Sequence, residues 1–230
     1  TFVIPSQGND SLNIAVASNF NSTLEKISFQ YEKKKRFKIN IISGSSGVLF
    51  AQIINGAPYD VFFSADRDRP EKLESKGLTR ARGTYAYGRV VFWERDERAQ
   101  EKYLSQSNRK LALARPEFAP YGKAAIEILE KYNHDLTNLV YGLNVNQVFA
   151  YIETGSVNAG FISLSQALSK NLSTNNFLII SESLHSEIEQ QLVISSNAKE
   201  GAEEFVDWVL SPAAQEIVIN AGYRGITPNE

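Results

Sequence analysis

The residues best placed to do chemistry in this chain are small and uncharged. Ser18-Asn19, Ser45-Ser46-Gly47, Pro120-Tyr121-Gly122 and Asn144-Val145-Asn146 each precede a run of apolar residues at helical spacing, the position at which a strand or loop hands over to a helix. The first N–H groups of a helix have no partner inside it, and the aligned peptide dipoles leave roughly half a positive charge there, so such a junction can seat an anion. Four of these ends brought together carry roughly +2, enough to balance a dianion without a salt bridge. Any single one has a plainer explanation, because Ser and Asn are the commonest helix caps. Two from each half of the chain, converging on one cleft, would make a site.

Other chemistries lack support. With no cysteine there are no disulfides, thiolate metal sites or cysteine nucleophiles, a composition that suits an oxidising compartment and is also compatible with the cytosol. The only histidines, His134 and His185, stand outside any metal-ligand spacing and read as loop or surface residues. No glycine-rich nucleotide fingerprint, phosphate-binding loop or nucleophile elbow occurs. The chain therefore reads as a binding protein rather than an enzyme, with no cofactor and no bound metal cation. The carboxylates of Asp66 and Asp68 fit turn and capping chemistry. The basic run Lys33–Lys38 reads as a solvated helix end whose charges complement the dipole.

The elements that must position the junctions follow from periodicity. Leu12, Ile14 and Val16 alternate as a strand, then Phe20, Leu24, Ile27 and Tyr31 recur at helical spacing. The unit repeats at Ile39 and Ile41, the turn Gly44-Ser45-Ser46-Gly47, and a helix through Leu49, Phe50, Ile53 and Ile54 closed by Gly56 and Pro58, with a third strand at Asp60 to Ser64. After Gly88 the pattern restarts with Val90 to Phe92, Leu111 to Ala114, and helices through Ile128 and Phe149. Two helices end the chain, the second opened by Ser211 as cap and Pro212 at its first position. Strands alternating with helices predict α/β lobes, each a mostly parallel sheet flanked by helices. We place lobe I at residues 1–87 and 193–230 and lobe II at 88–192, joined by crossing strands with the ligand cleft between them.

Composition agrees with an ordinary globular protein: 230 residues, 43% hydrophobic and 22% charged, allow one large or two smaller domains. A net charge of −2 and a pI near 5.8 argue against nucleic acid or acidic membranes as partners. No stretch approaches the roughly 20 apolar residues needed to cross a bilayer. Thr1–Asp10 lacks the regions of a signal peptide, so the chain reads as a mature or trimmed form.

At this point the residues resemble a known family, the periplasmic molybdate-binding proteins of ABC importers, over nearly the whole chain. The likeness rests on Ala15-Val16-Ala17-Ser18-Asn19-Phe20, Gly44-Ser45-Ser46-Gly47, Ala119-Pro120-Tyr121-Gly122, Gly160 to Gln166 and Leu210 to Gln215. Its most specific part is the block from Asn55 to Asp66, Asn-Gly-Ala-Pro-Tyr-Asp-Val-Phe-Phe-Ser-Ala-Asp. The resemblance implies a two-lobed solute-binding protein that captures molybdate or tungstate between its lobes and delivers it, as a monomer, to an ABC permease in the inner membrane. The contacts it implies are Ser18 and Ser46 through hydroxyl and backbone, Tyr121 and Val145 through backbone N–H, with Ser45 and Gly47 nearby. Many members have Tyr where this chain has Ser163. Asn19 is then expected to supply the missing donor through its amide, with Ser163 as the alternative. The rival readings are another oxyanion in the same fold (sulfate, chromate), the sensing domain of a transcriptional regulator, and an α/β enzyme acting on phosphate esters.

Overall fold

A computed structural model describes residues 11–35, 38–106 and 108–226; the reading of Thr1–Asp10 and the part of the basic run at residues 36–37 lie outside them. The strands form two five-stranded sheets. The first has the order β2-β1-β3-β10-β4, with β1 (Ser11–Ala17), β2 (Lys38–Gly44), β3 (Val61–Phe63), β4 (Thr79–Gly88) and β10 (Ile188–Ser195). The second has the order β7-β6-β8-β5-β9, with β5 (Val90–Glu94), β6 (Leu111–Ala114), β7 (Leu139–Gly142), β8 (Ala159–Ser163) and β9 (Phe177–Ile179). In each sheet a single strand opposes the rest: β10 is antiparallel to β3 and β4, and β5 to β8 and β9. Each of these strands is the first that the chain forms after crossing from the other sheet.

The chain leaves the first sheet at Gly88, where β4 ends, and enters the second at Val90. The crossing back is complete by Ile188, ahead of the 192 read from the sequence. The stretch Glu189-Gln190-Gln191 looks polar, and only the fold reveals that Gln190 and Gln191 are buried within a strand.

β1 is covered on both faces. Leu12, Ile14 and Val16 pack against α1 (Asn21–Lys34) and the two closing helices, α7 (Ala202–Leu210) and α8 (Pro212–Asn220). Ala15 packs with Phe62, Leu49 and Leu73 beneath α2 (Ser46–Ile54) and α3 (Asp68–Ser75). The terminal helices are tied back by Trp208 Nε1, which donates to the Ile27 carbonyl at 3.3 Å, and by the Phe205 ring set edge-on to Tyr31 at 5.2 Å. The second sheet is covered by α4 (Pro120–Lys131), α5 (Val145–Glu153) and α6 (Leu164–Ser169), with Ile128, Leu129, Val148, Phe149 and Ile152 buried against it. Helix α3 carried no apolar periodicity in sequence. It is started by Asp66, whose carboxylate accepts the Arg69 N–H at 3.1 Å, so this carboxylate is structural.

Candidate functional site

The carboxyl ends of the central strands of both sheets face one cavity, the place where open α/β sheets bind ligands. Its lining is Ala17, Ser18 and Asn19 after β1, Ser45 and Ser46 entering α2, Ala65 after β3, Ala119, Pro120 and Tyr121 entering α4, and Val145 opening α5. Six residues singled out in the sequence, Ser18, Asn19, Ser45, Ser46, Tyr121 and Val145, are therefore brought together. About 10 Å³ of the cavity admits the centre of a water-sized sphere, room for one compact group and nothing as large as a sugar. A wider groove alongside, about 390 Å³ by the same measure, shares Ala65 and Pro120 but is lined by charges of both signs, including Asp66, Arg67, Arg69, Lys123 and Glu189. That groove also takes in the starts of α3 and α4, but its carboxylates would repel an anion, so the donor chemistry belongs to the smaller, uncharged cavity.

Hydrogen-bond accounting identifies the free donors. In α2, Ser45 caps by accepting the Val48 N–H at 3.4 Å, and the Gly47 N–H goes to the Phe118 carbonyl at 2.9 Å. The Ser46 N–H is left over. In α4, Pro120 has no N–H and those of Gly122 and Lys123 return to the Ala119 carbonyl, leaving that of Tyr121. In α5, Asn144 caps by accepting the Gln147 N–H at 3.0 Å, leaving that of Val145. Together with Asn19, at least four backbone N–H groups at the cavity have no acceptor among the described residues, and that of Ser45 has none either. The Ser18 hydroxyl likewise has no partner among the described residues, whereas the Ser18 N–H is spent on the Gly44 carbonyl at 2.9 Å. The Ser46 hydroxyl accepts the Ala65 N–H at 2.9 Å, so its own proton remains to be donated. Buried N–H groups are almost always paired, and four unpaired ones around one cavity mark a place for an acceptor.

Among the described residues, no charged side chain lines the cavity. Its one titratable group is the Tyr121 phenol, pushed far above its ordinary range by burial and then by Tyr223.

The expectation for Asn19 needs correcting. Its amide neither caps α1, whose N-cap is Phe20 with no side-chain bond, nor stands free as a ligand donor. It donates to Gln190 Oε1 at 3.0 Å, to the Tyr223 hydroxyl at 3.2 Å and to the Tyr121 hydroxyl at 3.4 Å. The same Gln190 donates to the Tyr121 hydroxyl at 3.1 Å and accepts from Tyr85 at 2.8 Å, while Tyr223 and Ser165 both donate to the Asn19 carbonyl. This buried network ties β1, β4, β10, α4, α6 and the C-terminal segment together behind the cavity. What remains for a ligand at Asn19 is its backbone N–H.

Ser163 and Gly47 are not part of the lining. Ser163, fully buried, caps α6 in a reciprocal pair with Gln166 and bonds Ser165 Oγ at 2.9 Å. Gly47 faces the Phe118 backbone across the cleft. Sequence reasoning missed Ala65, Gln190 and Tyr223. A glutamine pair ahead of the apolar run Leu192-Val193-Ile194 was the one visible signal, whereas nothing local marks Tyr223.

The chain is similar to known proteins over nearly its whole length. The family model described as bacterial extracellular solute-binding protein matches residues 12–224. The molybdate-binding protein ModA of Azotobacter vinelandii is 34% identical over 92% of this chain and 89% of its own length. That of Rhodobacter capsulatus is 32% identical over 91% of this chain and 86% of its own. Among solved structures, the Azotobacter vinelandii periplasmic molybdate-binding protein superposes with a TM-score of 0.87 at 34% identity, covering 95% of this chain and 100% of that one. A match to the family model across both sheets and the cleft between them places the chain in the family of bacterial extracellular solute-binding proteins.

Proposed function

We propose that this protein captures molybdate or tungstate in the cavity between its two sheets and hands it to an ABC permease of the inner membrane, working in the periplasm as a monomer and without catalysis. The observation that carries this reading is the set of four unpaired N–H groups and two serine hydroxyls around a small, uncharged cavity. The donors are the N–H groups of Asn19, Ser46, Tyr121 and Val145 and the hydroxyls of Ser18 and Ser46. They come from both sheets, so residues 1–87 with the C-terminal segment act as one lobe and the middle of the chain as the other, closing on the ion. A tetrahedral dianion accepts from all of them, and the helix ends supply the balancing positive potential. The similarity to proteins named for molybdate favours that ion over sulfate and chromate. A site without a carboxylate also disfavours monohydrogen phosphate, whose proton would find only a serine hydroxyl to accept it.

The test is calorimetric titration of chelator-treated protein with molybdate, tungstate, sulfate and phosphate. Molybdate and tungstate are expected to bind tightly without any divalent cation. Their affinity should stay level between about pH 6 and about pH 9, because the only titratable group lining the cavity among the described residues, the Tyr121 phenol, ionises well above that range. Binding of sulfate or phosphate in preference to molybdate would overturn the assignment.

A further inference from the structure

Two backbone carbonyls in the loop between β6 and α4 are gripped from the opposite side of the cleft. The Phe118 carbonyl accepts the Gly47 N–H at 2.9 Å, and the Glu117 carbonyl accepts from Arg69 Nη2 at 2.8 Å. Gly47 lies in the first turn of α2 and Arg69 in the first turn of α3, both packed on the first sheet, whereas the loop belongs to the second. Neither residue lines the cavity. Arg69 is aimed by Asp66, which pairs with its guanidinium and also accepts its backbone N–H.

The approach at Gly47 leaves no room for a side chain. A Cβ there would lie 2.8 Å from the Phe118 Cα and 3.1 Å from Arg69 Nη2. Backbone cannot yield as a flexible side-chain end can, so any larger residue at 47 would hold the two halves apart. Two of the three nearest atoms to that Cβ, including the closest, belong to Phe118 across the cleft, so the main conflict arises from closure.

We infer that Gly47 and Arg69 form a clasp that holds the cleft shut and so prolongs retention of the anion without touching it. The inference rests on the proposed anion-binding reading, in which the lobes open and close around the ion. It also gives the second glycine of Gly44-Ser45-Ser46-Gly47 a role the motif alone did not disclose. The first turn of α2 then does two jobs: Ser46 faces the ion and Gly47 seals the door.

The experiment compares the wild type with Gly47→Ala and Arg69→Gln, by stopped-flow molybdate association and dissociation and by small-angle scattering with and without molybdate. Arg69→Gln should raise the dissociation rate about tenfold, with association changed by less than about twofold, because the lost bond exists only in the closed form. Gly47→Ala should lose at least about tenfold in affinity and keep a larger radius of gyration at saturating molybdate. Ligand-free unfolding midpoints check that both variants are folded; should Gly47→Ala fail to fold, Arg69→Gln decides alone. Wild-type dissociation rates and bound radii in the folded variants would overturn the clasp. A wild type that bound no oxyanion would instead sink the binding reading, and the clasp would then stand or fall on whether the ligand-free variants scatter as more open particles.

Discussion

Ser18 and Ser163 are both buried serines beside a helix start, yet they do different work. The Ser18 hydroxyl meets no acceptor among the described residues and lines the cavity, whereas that of Ser163 accepts the Gln166 N–H at 3.2 Å and closes a capping box. Ser18→Ala should therefore weaken molybdate binding about tenfold, the cost of one bond to a charged ligand, with little change in unfolding midpoint. Ser163→Ala should lower stability by about 1 kcal/mol and leave the affinity where it was. Isothermal titration and thermal melts of the two variants separate the roles; loss of affinity in Ser163→Ala alone would bring that residue back to the ion. At Asn19 the amide is held by three partners, Gln190, Tyr121 and Tyr223, that are themselves buried. Burial raises both Tyr121 and Tyr223 well above the ordinary phenol range, so the network stays neutral at any physiological pH.

At the scale of elements, the donors are aimed by the starts of α2, α4 and α5, and each start is set differently. Ser45 caps α2, Pro120 presets the backbone at the first position of α4, and Asn144 caps α5. A cap acts on the ion only through the geometry of the next N–H. Asn144→Ala should cost about 1 kcal/mol of stability by leaving the Gln147 N–H unpaired. Its affinity for molybdate should fall by less than that of Ser18→Ala, since the Val145 N–H is displaced rather than removed. Equal losses in the two variants would mean that Asn144 itself reaches the ligand. The crossing from β4 to β5 is equally constrained: a Cβ at Gly88 would meet the Tyr121 hydroxyl at 2.4 Å and Gln190 Nε2 at 2.6 Å. The hinge thus passes directly over the network that holds the two sides of the site.

Over the whole molecule, stability is shared between three apolar clusters, two on the faces of the first sheet and one around the second, and the last of these encloses a carboxyl group. Glu94 on β5 is almost fully enclosed, with Arg109 2.7 Å away. Burial raises its carboxyl to about 7, against the opposing pull of Arg109. Between the ordinary carboxylate range and that value the folded chain holds a proton that the unfolded chain has released. This group's contribution to stability is therefore greatest at low pH and is lost as the pH rises through about 7. Urea unfolding of the wild type from about pH 5 to about pH 8 should show this decline, and Glu94→Gln should flatten it. An identical slope in the variant would mean that Arg109 keeps the carboxylate ionised throughout.

Much of the fold and part of the site are written in local order. The alternation Leu12, Ile14, Val16 and the helical spacing of Leu24, Ile27 and Tyr31 announce one strand and one helix because side-chain direction repeats every two residues in a strand and every 3.6 in a helix. Ser45, Asn144 and Ser211 announce helix starts because a cap bonds an N–H two or three residues ahead. These signals pointed to the strand-to-helix junctions and to a restart of the pattern after Gly88, and the family resemblance of the chain pointed to an oxyanion. They could not show that the Asn19 amide is already committed, because Tyr223 lies 204 positions away and Gln190 171. Nor could they divide Ser46 from Gly47, or set Ser18 apart from Ser163. Neighbours in sequence face different partners once two sheets come together, and which donors are left unpaired is decided only by what the rest of the chain brings within hydrogen-bonding distance.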